Sequence, residues 1–237
     1  MHKSKGNFVT MKSAIEKYGA DATRCALLLA AEGMDDPDWR SDNLRDTRDK
    51  VESFHNFAKN IIENANEDED GHLEKWLLST LQHRVAEVTA NMEQMKTRTA
   101  LETAFFQVWN DFRWYIRRKG SMKAKALREA LKVWARLLAP FAPHICEEVW
   151  SILGEKGFVS TATWPETDKT LENVEAIEAE GFIKEVMADT QNVIRATKST
   201  PSKIYYYVSA PWKWKLYSKI LEKAVKGKLE TGTIIRE

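Results

Sequence analysis

The chain has 237 residues, of which 43% are hydrophobic and 30% are charged, with only ten Gly and six Pro. This composition is typical of a soluble, folded, helix-rich protein and excludes a disordered chain. No apolar run is long enough to span a membrane, and the first residues are polar and basic without a hydrophobic signal region. We therefore expect a cytoplasmic protein with no membrane partner.

The cysteines indicate no metal site, and the uneven distribution of charge bears on possible partners. Cys25 and Cys146 lie in apolar helical patterns without a second Cys or a His at metal-ligand spacing, so we expect reduced core thiols and no metal site. The net charge is only +1, but residues 165–189 hold eight acidic and two basic side chains, and residues 195–237 hold ten basic and three acidic ones. Such blocks are more often solvated faces than binding sites.

The first part of the chain, residues 1–40, predicts a loop followed by two helices. Thr10 is suited to cap a short helix that ends at Gly19, and Asp21 is suited to cap a second helix over about residues 22–32. That second helix contains the run Cys25-Ala-Leu-Leu-Leu-Ala-Ala31, which is too apolar for a surface helix. We expect it to lie between other elements.

Apolar residues then recur at helical spacing and predict an antiparallel bundle of four or five long helices over residues 41–157. Thr99 and Glu102 have the spacing of a capping box, Gly120 ends that helix, and Ser121 is suited to cap the next one. Pro140 ends that next helix, and Pro143 begins another.

Near this last helix start we expect the ring of His144 to bond the nearby backbone. Glu147 and Glu148 would favour the helix dipole there, without a catalytic role.

The rest of the chain differs in character. Residues 158–200 predict a linker and an acidic helix that reaches about Arg195. Residues 203–209 favour a strand, a basic helix follows to about Lys226, and residues 229–235 favour a second strand. We therefore predict a mainly α protein with a small, truncated α/β appendage over residues 201–237.

Two groups of residues are candidates for chemistry. The run Lys3-Ser-Lys-Gly-Asn7 concentrates two ammonium groups beside a flexible glycine, which suits transient binding of a polyphosphate. Spacing alone favours a solvated tail for this run. The second group is a basic cluster with an aromatic member, formed by Arg113, Trp114, Arg117, Arg118, Lys119 and Lys123.

Cations at a helix end can reach RNA phosphates, and aromatic rings can stack on bases. A solvated basic face, with Trp114 in the core, is an equally good interpretation of this cluster. Lysines of the late helix, Lys213, Lys215, Lys219, Lys223 and Lys226, are a weaker second candidate.

Several stretches together resemble one family. Met1-His-Lys-Ser-Lys-Gly-Asn7 is similar to the second signature of class I aminoacyl-tRNA synthetases, although its leading lysine is absent and His2 replaces a serine. Residues 14–24 resemble the helices that follow that signature, and residues 138–150 resemble an anticodon-domain element of the leucyl, isoleucyl and valyl group. Asp36-Pro-Asp-Trp-Arg40 and residues 205–215 resemble the archaeal and eukaryotic type of leucyl-tRNA synthetase.

This resemblance implies a helical bundle of the anticodon-binding type and the C-terminal part of an enzyme that attaches leucine to tRNA(Leu) with ATP and Mg²⁺. It also implies catalytic and ATP-binding roles for Lys3 and Ser4, with Lys5 in the same ATP-binding loop. The other signature and the nucleotide-binding sheet are missing, so we expect the chain alone neither to aminoacylate nor to bind ATP tightly. The alternatives are a stand-alone tRNA-binding module, a subunit of a split synthetase of the valyl, isoleucyl or leucyl type, and a purely structural bundle.

In a reconstituted full-length enzyme, Lys3→Ala is expected to slow formation of the leucyl-adenylate much more than it weakens tRNA binding. The reason is that a compact ammonium on a flexible loop stabilises phosphate charge as it develops. Pyrophosphate exchange and tRNA titration measure the two effects separately, and equal losses in both would contradict the assignment.

Overall fold

The computed structural model describes residues 9–37 and 40–225, and this part of the chain is mainly α-helical, as predicted. Its helices are α1 (Met11–Tyr18), α2 (Ala20–Ala30), α3 (Ser41–Asn64), α4 (His72–Glu93), α5 (Thr97–Leu101), α6 (Val108–Lys119), α7 (Ala126–Leu138), α8 (Pro143–Ile152), α9 (Val174–Thr197) and α10 (Pro211–Val225). A π-helical segment, Glu102–Gln107, joins α5 to α6. None of the helices described is long and apolar enough to cross a membrane.

The chain divides into two compact units, residues 1–184 and residues 185–237. The first unit contains α1 to α8 and the beginning of α9, and the second contains the rest of α9 and α10. In the first unit α2 packs against α1, α3, α5 and α8, so the apolar second helix lies between other elements, as predicted. The finer division of the chain into four segments stays a prediction.

The core of the first unit is an aromatic cluster around Trp134 of α7, whose side chain is fully buried. Its ring lies 4.7 Å from that of Phe54 and 4.8 Å from that of Phe112 between ring centroids. The indole Nε1 donates to the carbonyl oxygen of Ala104 at 2.8 Å, so its polar group is satisfied inside the core. Since Ala104 belongs to the π-helical segment, this bond also holds that irregular segment against the core.

Both cysteines lie in the apolar interior, as predicted. Cys25 and Cys146 are buried and unpaired with each other. Burial raises the pKa of the Cys25 thiol to about 12, with a smaller contribution from the nearby Asp21 carboxylate. The thiol form is therefore strongly favoured.

The start of the first unit confirms one predicted helix cap and corrects another. The Thr10 hydroxyl accepts from the Ser13 backbone N–H, and α1 ends at Gly19, whose φ of 89° suits glycine. Asp21, in contrast, lies within the first turn of α2 and caps α8. Its carboxylate accepts from the backbone N–H groups of His144 at 3.3 Å and Ile145 at 2.7 Å.

This cap is needed because the residue before α8 is Ala142, which has no side-chain acceptor. The imidazole of His144 also faces this carboxylate, with its Nδ1 2.7 Å from Asp21 Oδ1. The prediction that the ring bonds nearby backbone is therefore wrong. Glu147, near the same helix start, accepts from the backbone N–H groups of Val159 and Ser160, which begin the next turn.

The predicted capping box at Thr99 is also wrong. Helix α5 begins at Thr97, so Thr99 lies inside its first turn. Its N–H and hydroxyl donate to the carboxylate of Glu32 at 2.9 and 2.8 Å, and Glu102 pairs with Arg98 instead. The cap at this helix start is therefore provided by Glu32, which is distant in sequence, and not by Glu102.

The predicted cap at Ser121 is wrong as well, because α7 begins only at Ala126. The residues before it form an isolated β-bridge between Glu67 and Ala124. The Glu67 N–H donates to the Lys123 carbonyl at 2.8 Å, and the Lys125 N–H donates to the Glu67 carbonyl at 2.9 Å. These hydrogen bonds satisfy backbone groups that would have been bonded inside α7 if that helix had begun earlier.

The second unit contains α10 as predicted, but residues 203–209 do not form a strand. A strand is stabilised by pairing with a neighbour, and the described part of the chain offers none to this run. Tyr205 and Tyr207 are exposed, and the Tyr206 hydroxyl lies 2.8 Å from that of Thr190 on α9. The strand predicted over residues 229–235 lies outside the described residues.

Asp21→Ala is expected to lower the free energy of unfolding by about 2 kcal/mol, because it removes a buried carboxylate that caps α8. Asp49→Ala, at an exposed position of α3, is the matched control and should change stability by less than about 0.5 kcal/mol. Urea unfolding followed by circular dichroism measures both values. Equal stability of the two variants would contradict the capping role.

Candidate nucleic-acid interface

The basic cluster selected from the sequence lies at the end of α6 and in the turn after it. Helix α6 is fixed to the core by Phe112 and Tyr115, which are fully buried. Arg113, Arg117 and Arg118 are exposed on other faces of this helix. The structure therefore brings the predicted residues together, and the partners of each cation show which of them are free to bind a ligand.

Two members of the cluster bind a buried carboxylate. Glu180 of α9 is fully buried and accepts from Trp114 Nε1 at 2.9 Å and from Arg118 Nε and Nη2 at 2.9 and 3.1 Å. His72 Nε2 lies 3.3 Å from the same carboxylate. Burial disfavours its ionised form, but the hydrogen bonds from Arg118 and Trp114 outweigh burial and lower the pKa of Glu180. Arg118 and Trp114 are thus bound within the protein.

Lys119 binds a second buried carboxylate, that of Glu74 at the start of α4. Its Nζ lies 2.9 Å from Glu74 Oε1 and also pairs with Glu69. Glu74 further accepts from the Tyr115 hydroxyl and from the Gly71 N–H. Burial acts to raise the pKa of Glu74, but its hydrogen bonds from Tyr115 and Lys119 outweigh burial and lower it.

Lys123 forms an exposed ion pair with Glu67 at 3.0 Å. Exposed pairs of this kind contribute little to stability and are screened by salt. The Lys123 ammonium is therefore less firmly held than the guanidinium of Arg118 or the ammonium of Lys119.

Arg113 and Arg117 differ from these residues. Within the described ranges neither guanidinium has a hydrogen-bond or ion-pair partner among the side chains. Both line a groove of about 520 Å³, here called the Arg117 groove. Its other lining residues are Phe57, Asn110, Trp114, Ile116 and Met122.

A second groove, of about 430 Å³, lies beside it between α3 and the π-helical segment and is here called the Phe106 groove. It is lined by Lys50, Ser53, Phe105, Phe106, Trp109, Asn110 and Arg113. Because Asn110 and Arg113 line both grooves, the two form one surface with an aromatic floor and cationic edges. That combination suits binding of an anionic, π-rich ligand such as RNA.

Sequence reasoning missed most of the Phe106 groove, including Lys50, Phe106 and Asn110. A usable signal was present, since Phe106, Asn110, Arg113 and Arg117 are separated by four, three and four residues and share one helix face. The sequence interpretation selected residues by the density of basic side chains near the end of α6 and therefore did not identify this helix face.

The remaining candidates lie outside the described residues or in the second unit. Lys3, Ser4 and Lys5 lie outside the described residues, as does Lys226. On α10, in the second unit, Trp212 and Trp214 are exposed beside Lys213 and Lys215. Over residues 9–37 and 40–225, no group of three or more His, Cys, Asp or Glu side chains could hold a metal ion.

The chain is similar to known proteins over much of its length. The family described as the anticodon-binding domain of tRNA ligase matches residues 74–206, which include all of α6. The leucine-tRNA ligase of Methanothrix thermoacetophila is 41% identical over 239 residues, covering 100% of this chain and 25% of the relative. That of Pyrococcus horikoshii is 40% identical over 233 residues, covering 94% and 24%. The chain thus spans about a quarter of the length of the curated relatives it matches.

Among solved structures, the chain is similar to a LeuRS of Agrobacterium radiobacter in a ternary complex with tRNA and LeuAMS. The TM-score is 0.62 with 26% sequence identity, and the match covers 73% of this chain and 23% of that one.

Glu180→Gln is expected to lower the free energy of unfolding at pH 7 by about 2 kcal/mol, because it removes the charged partner of Arg118. The pKa of Glu180 is lowered in the folded state, so its stabilisation is complete above its ordinary value of 4.5 and is lost as pH falls through the lowered value. The difference in free energy of unfolding between the variant and the unaltered chain should therefore become smaller as the pH is lowered.

Glu178→Gln, at an exposed position of the same helix, is the matched control. Denaturant titrations from pH 7 down to acid measure the effect. A Glu180→Gln deficit that stays constant with pH would show that ionisation of this carboxyl does not stabilise the fold.

Proposed function

The chain belongs to the anticodon-binding domain family of tRNA ligases, and from that premise we propose that it is the tRNA-binding part of a leucyl-tRNA synthetase of the archaeal type. Its similarity to archaeal leucine-tRNA ligases over the whole chain supports this assignment. The complete enzyme would be cytoplasmic and would attach leucine to tRNA(Leu) with ATP and Mg²⁺.

The observation that carries the proposal is that, among the described residues, the guanidiniums of Arg113 and Arg117 have no side-chain partner and lie on a surface with an aromatic floor. Arg113 and Arg117 are four residues apart on one helix and therefore face the same side. Guanidinium groups bind phosphates in a bidentate manner, and these two need not break an internal ion pair to do so. We assign them direct contact with the tRNA backbone.

The other members of the basic cluster hold α6 in place or lie at the edge of the surface. Trp114 forms part of the wall of the Arg117 groove, and its indole is fixed by the bond to Glu180. Arg118 and Lys119 neutralise the two buried carboxylates and so fix α6 against α9 and α4. Lys123, whose pair with Glu67 is exposed, contacts the tRNA only at the margin of the surface.

The ATP-binding roles of Lys3, Ser4 and Lys5 rest on the signature resemblance alone. In the complete enzyme these side chains would approach the pyrophosphate of ATP beside a nucleotide-binding domain.

The double variant Arg113→Gln/Arg117→Gln is expected to weaken binding of a tRNA(Leu) transcript by at least about tenfold at low salt, because two phosphate contacts are lost. The slope of log affinity against log salt should fall by about two in magnitude. Filter-binding titrations at several KCl concentrations measure both quantities.

A matched control, Lys156→Gln/Lys169→Gln, removes the same charge from exposed side chains outside both grooves. It should leave the affinity within about twofold of the unaltered chain. If the two double variants lose affinity equally, the contact is a diffuse charge effect and the assignment to α6 is wrong.

A further inference from the structure

We propose that the Phe106 groove binds one unstacked nucleobase of the RNA, which stacks on the ring of Phe106. This inference rests on the proposed tRNA binding and adds a base contact to the phosphate contacts of Arg113 and Arg117. It concerns a base in a loop or single strand, since the faces of bases inside a duplex are covered by their neighbours.

The π-helical segment places two aromatic rings side by side with different environments. Phe105 is 1% exposed and belongs to the core, whereas the next residue, Phe106, is half-buried at the groove. The two rings are stacked, with centroids 5.3 Å apart and planes 20° from parallel. Phe106 is therefore backed by the core and held in one orientation, which reduces the ordering cost of stacking a base on it.

Trp109 is a second rigid wall of the groove. Its ring lies 5.2 Å from Phe57 and 5.5 Å from the buried Trp134 between centroids. Like Phe106 it is half-buried, although it belongs to the same aromatic cluster as the core. A pair of partly exposed aromatic rings anchored from behind is the form that base-stacking platforms take.

Lys50 occupies the position that a base would take. Its ammonium lies 4.3 Å from the centroid of the Phe106 ring, and Phe105 already backs that ring. A lysine side chain is flexible, so an incoming base can displace it from the ring. The displaced ammonium then lies beside the sugar-phosphate of the same nucleotide, where it forms an ion pair.

The groove favours RNA over a basic or apolar peptide. Its lining residues include two cations, Lys50 and Arg113, and no carboxylate. Arg113 also lines the Arg117 groove, so a phosphate bound there and a base bound here can belong to adjacent parts of one strand. Asn110 adds a carboxamide that can donate to and accept from a base edge.

Phe106→Leu tests this inference, because it keeps an apolar side chain but removes the π face. The probes are a single-stranded oligouridylate and an RNA duplex of equal length, titrated against the complete 237-residue chain. Affinity for the oligouridylate should fall about tenfold, and affinity for the duplex should change by less than about twofold. The loss of oligouridylate affinity should be the same at low and high salt, since base stacking is not screened by ions.

Phe158→Leu is the matched control, because Phe158 is 66% exposed and lies outside both grooves. Lys50→Gln is a second variant at an exposed position that leaves the core untouched, and it should weaken oligouridylate binding with a smaller salt slope. Circular dichroism verifies that each variant is folded. If Phe106→Leu proves unfolded, loss of oligouridylate affinity in Lys50→Gln supports the inference, and unchanged affinity overturns it.

The outcomes separate this inference from the proposed function. RNA binding that depends on Arg113 and Arg117 but is unchanged in a folded Phe106→Leu variant would overturn the base site alone. It would indicate that the groove binds a protein side chain instead of a nucleobase. An equal loss for single strand and duplex would also overturn the base site. Failure of the unaltered chain to bind any RNA at low salt would overturn both proposals.

Discussion

The carboxylates of Glu74 and Glu180 are both buried beside the end of α6, and the rest of the interface depends on how they are neutralised. A buried carboxylate is costly unless it is paired and hydrogen-bonded. Lys119 and Arg118 supply that charge, with Tyr115 and Trp114 as further donors. The structural cations are thereby separated from Arg113 and Arg117, which stay available for a ligand.

The same aromatic residues that stabilise the first unit also form the floor of its surface. Trp134 is enclosed by Phe54 and Phe112, while Phe57 and Trp109 reach from that cluster into the grooves. Burying the whole cluster would remove the aromatic floor of the grooves, and exposing more of it would weaken the core. The half-buried rings are thus rigid because of the core and accessible because they lie at its edge.

Local patterns predicted several helix ends correctly, at positions where the residue that begins or ends the helix is adjacent to it in sequence. Thr10, Gly19, Gly120 and Pro143 each act as the sequence indicated. The strand expected over residues 203–209 did not form, since β propensity has an effect only where a partner strand is present.

The errors and omissions concern contacts between residues distant in the chain. Asp21 caps a helix whose N-terminal residues are 123 and 124 positions away, and Glu32 bonds Thr99 across 67 positions. Glu180 pairs with Arg118 across 62 positions. Charge counting therefore located the basic cluster, but it could not separate the cations that neutralise buried carboxylates from those free to bind RNA.

Ultraviolet cross-linking of the complete chain to a tRNA(Leu) transcript, followed by mass spectrometry of the linked peptides, tests the central claim most directly. The account predicts that the RNA cross-links to peptides containing Phe106, Trp109 or residues 110–117, at the two grooves of the first unit. Cross-links confined to α10, with its exposed Trp212 and Trp214, would contradict it.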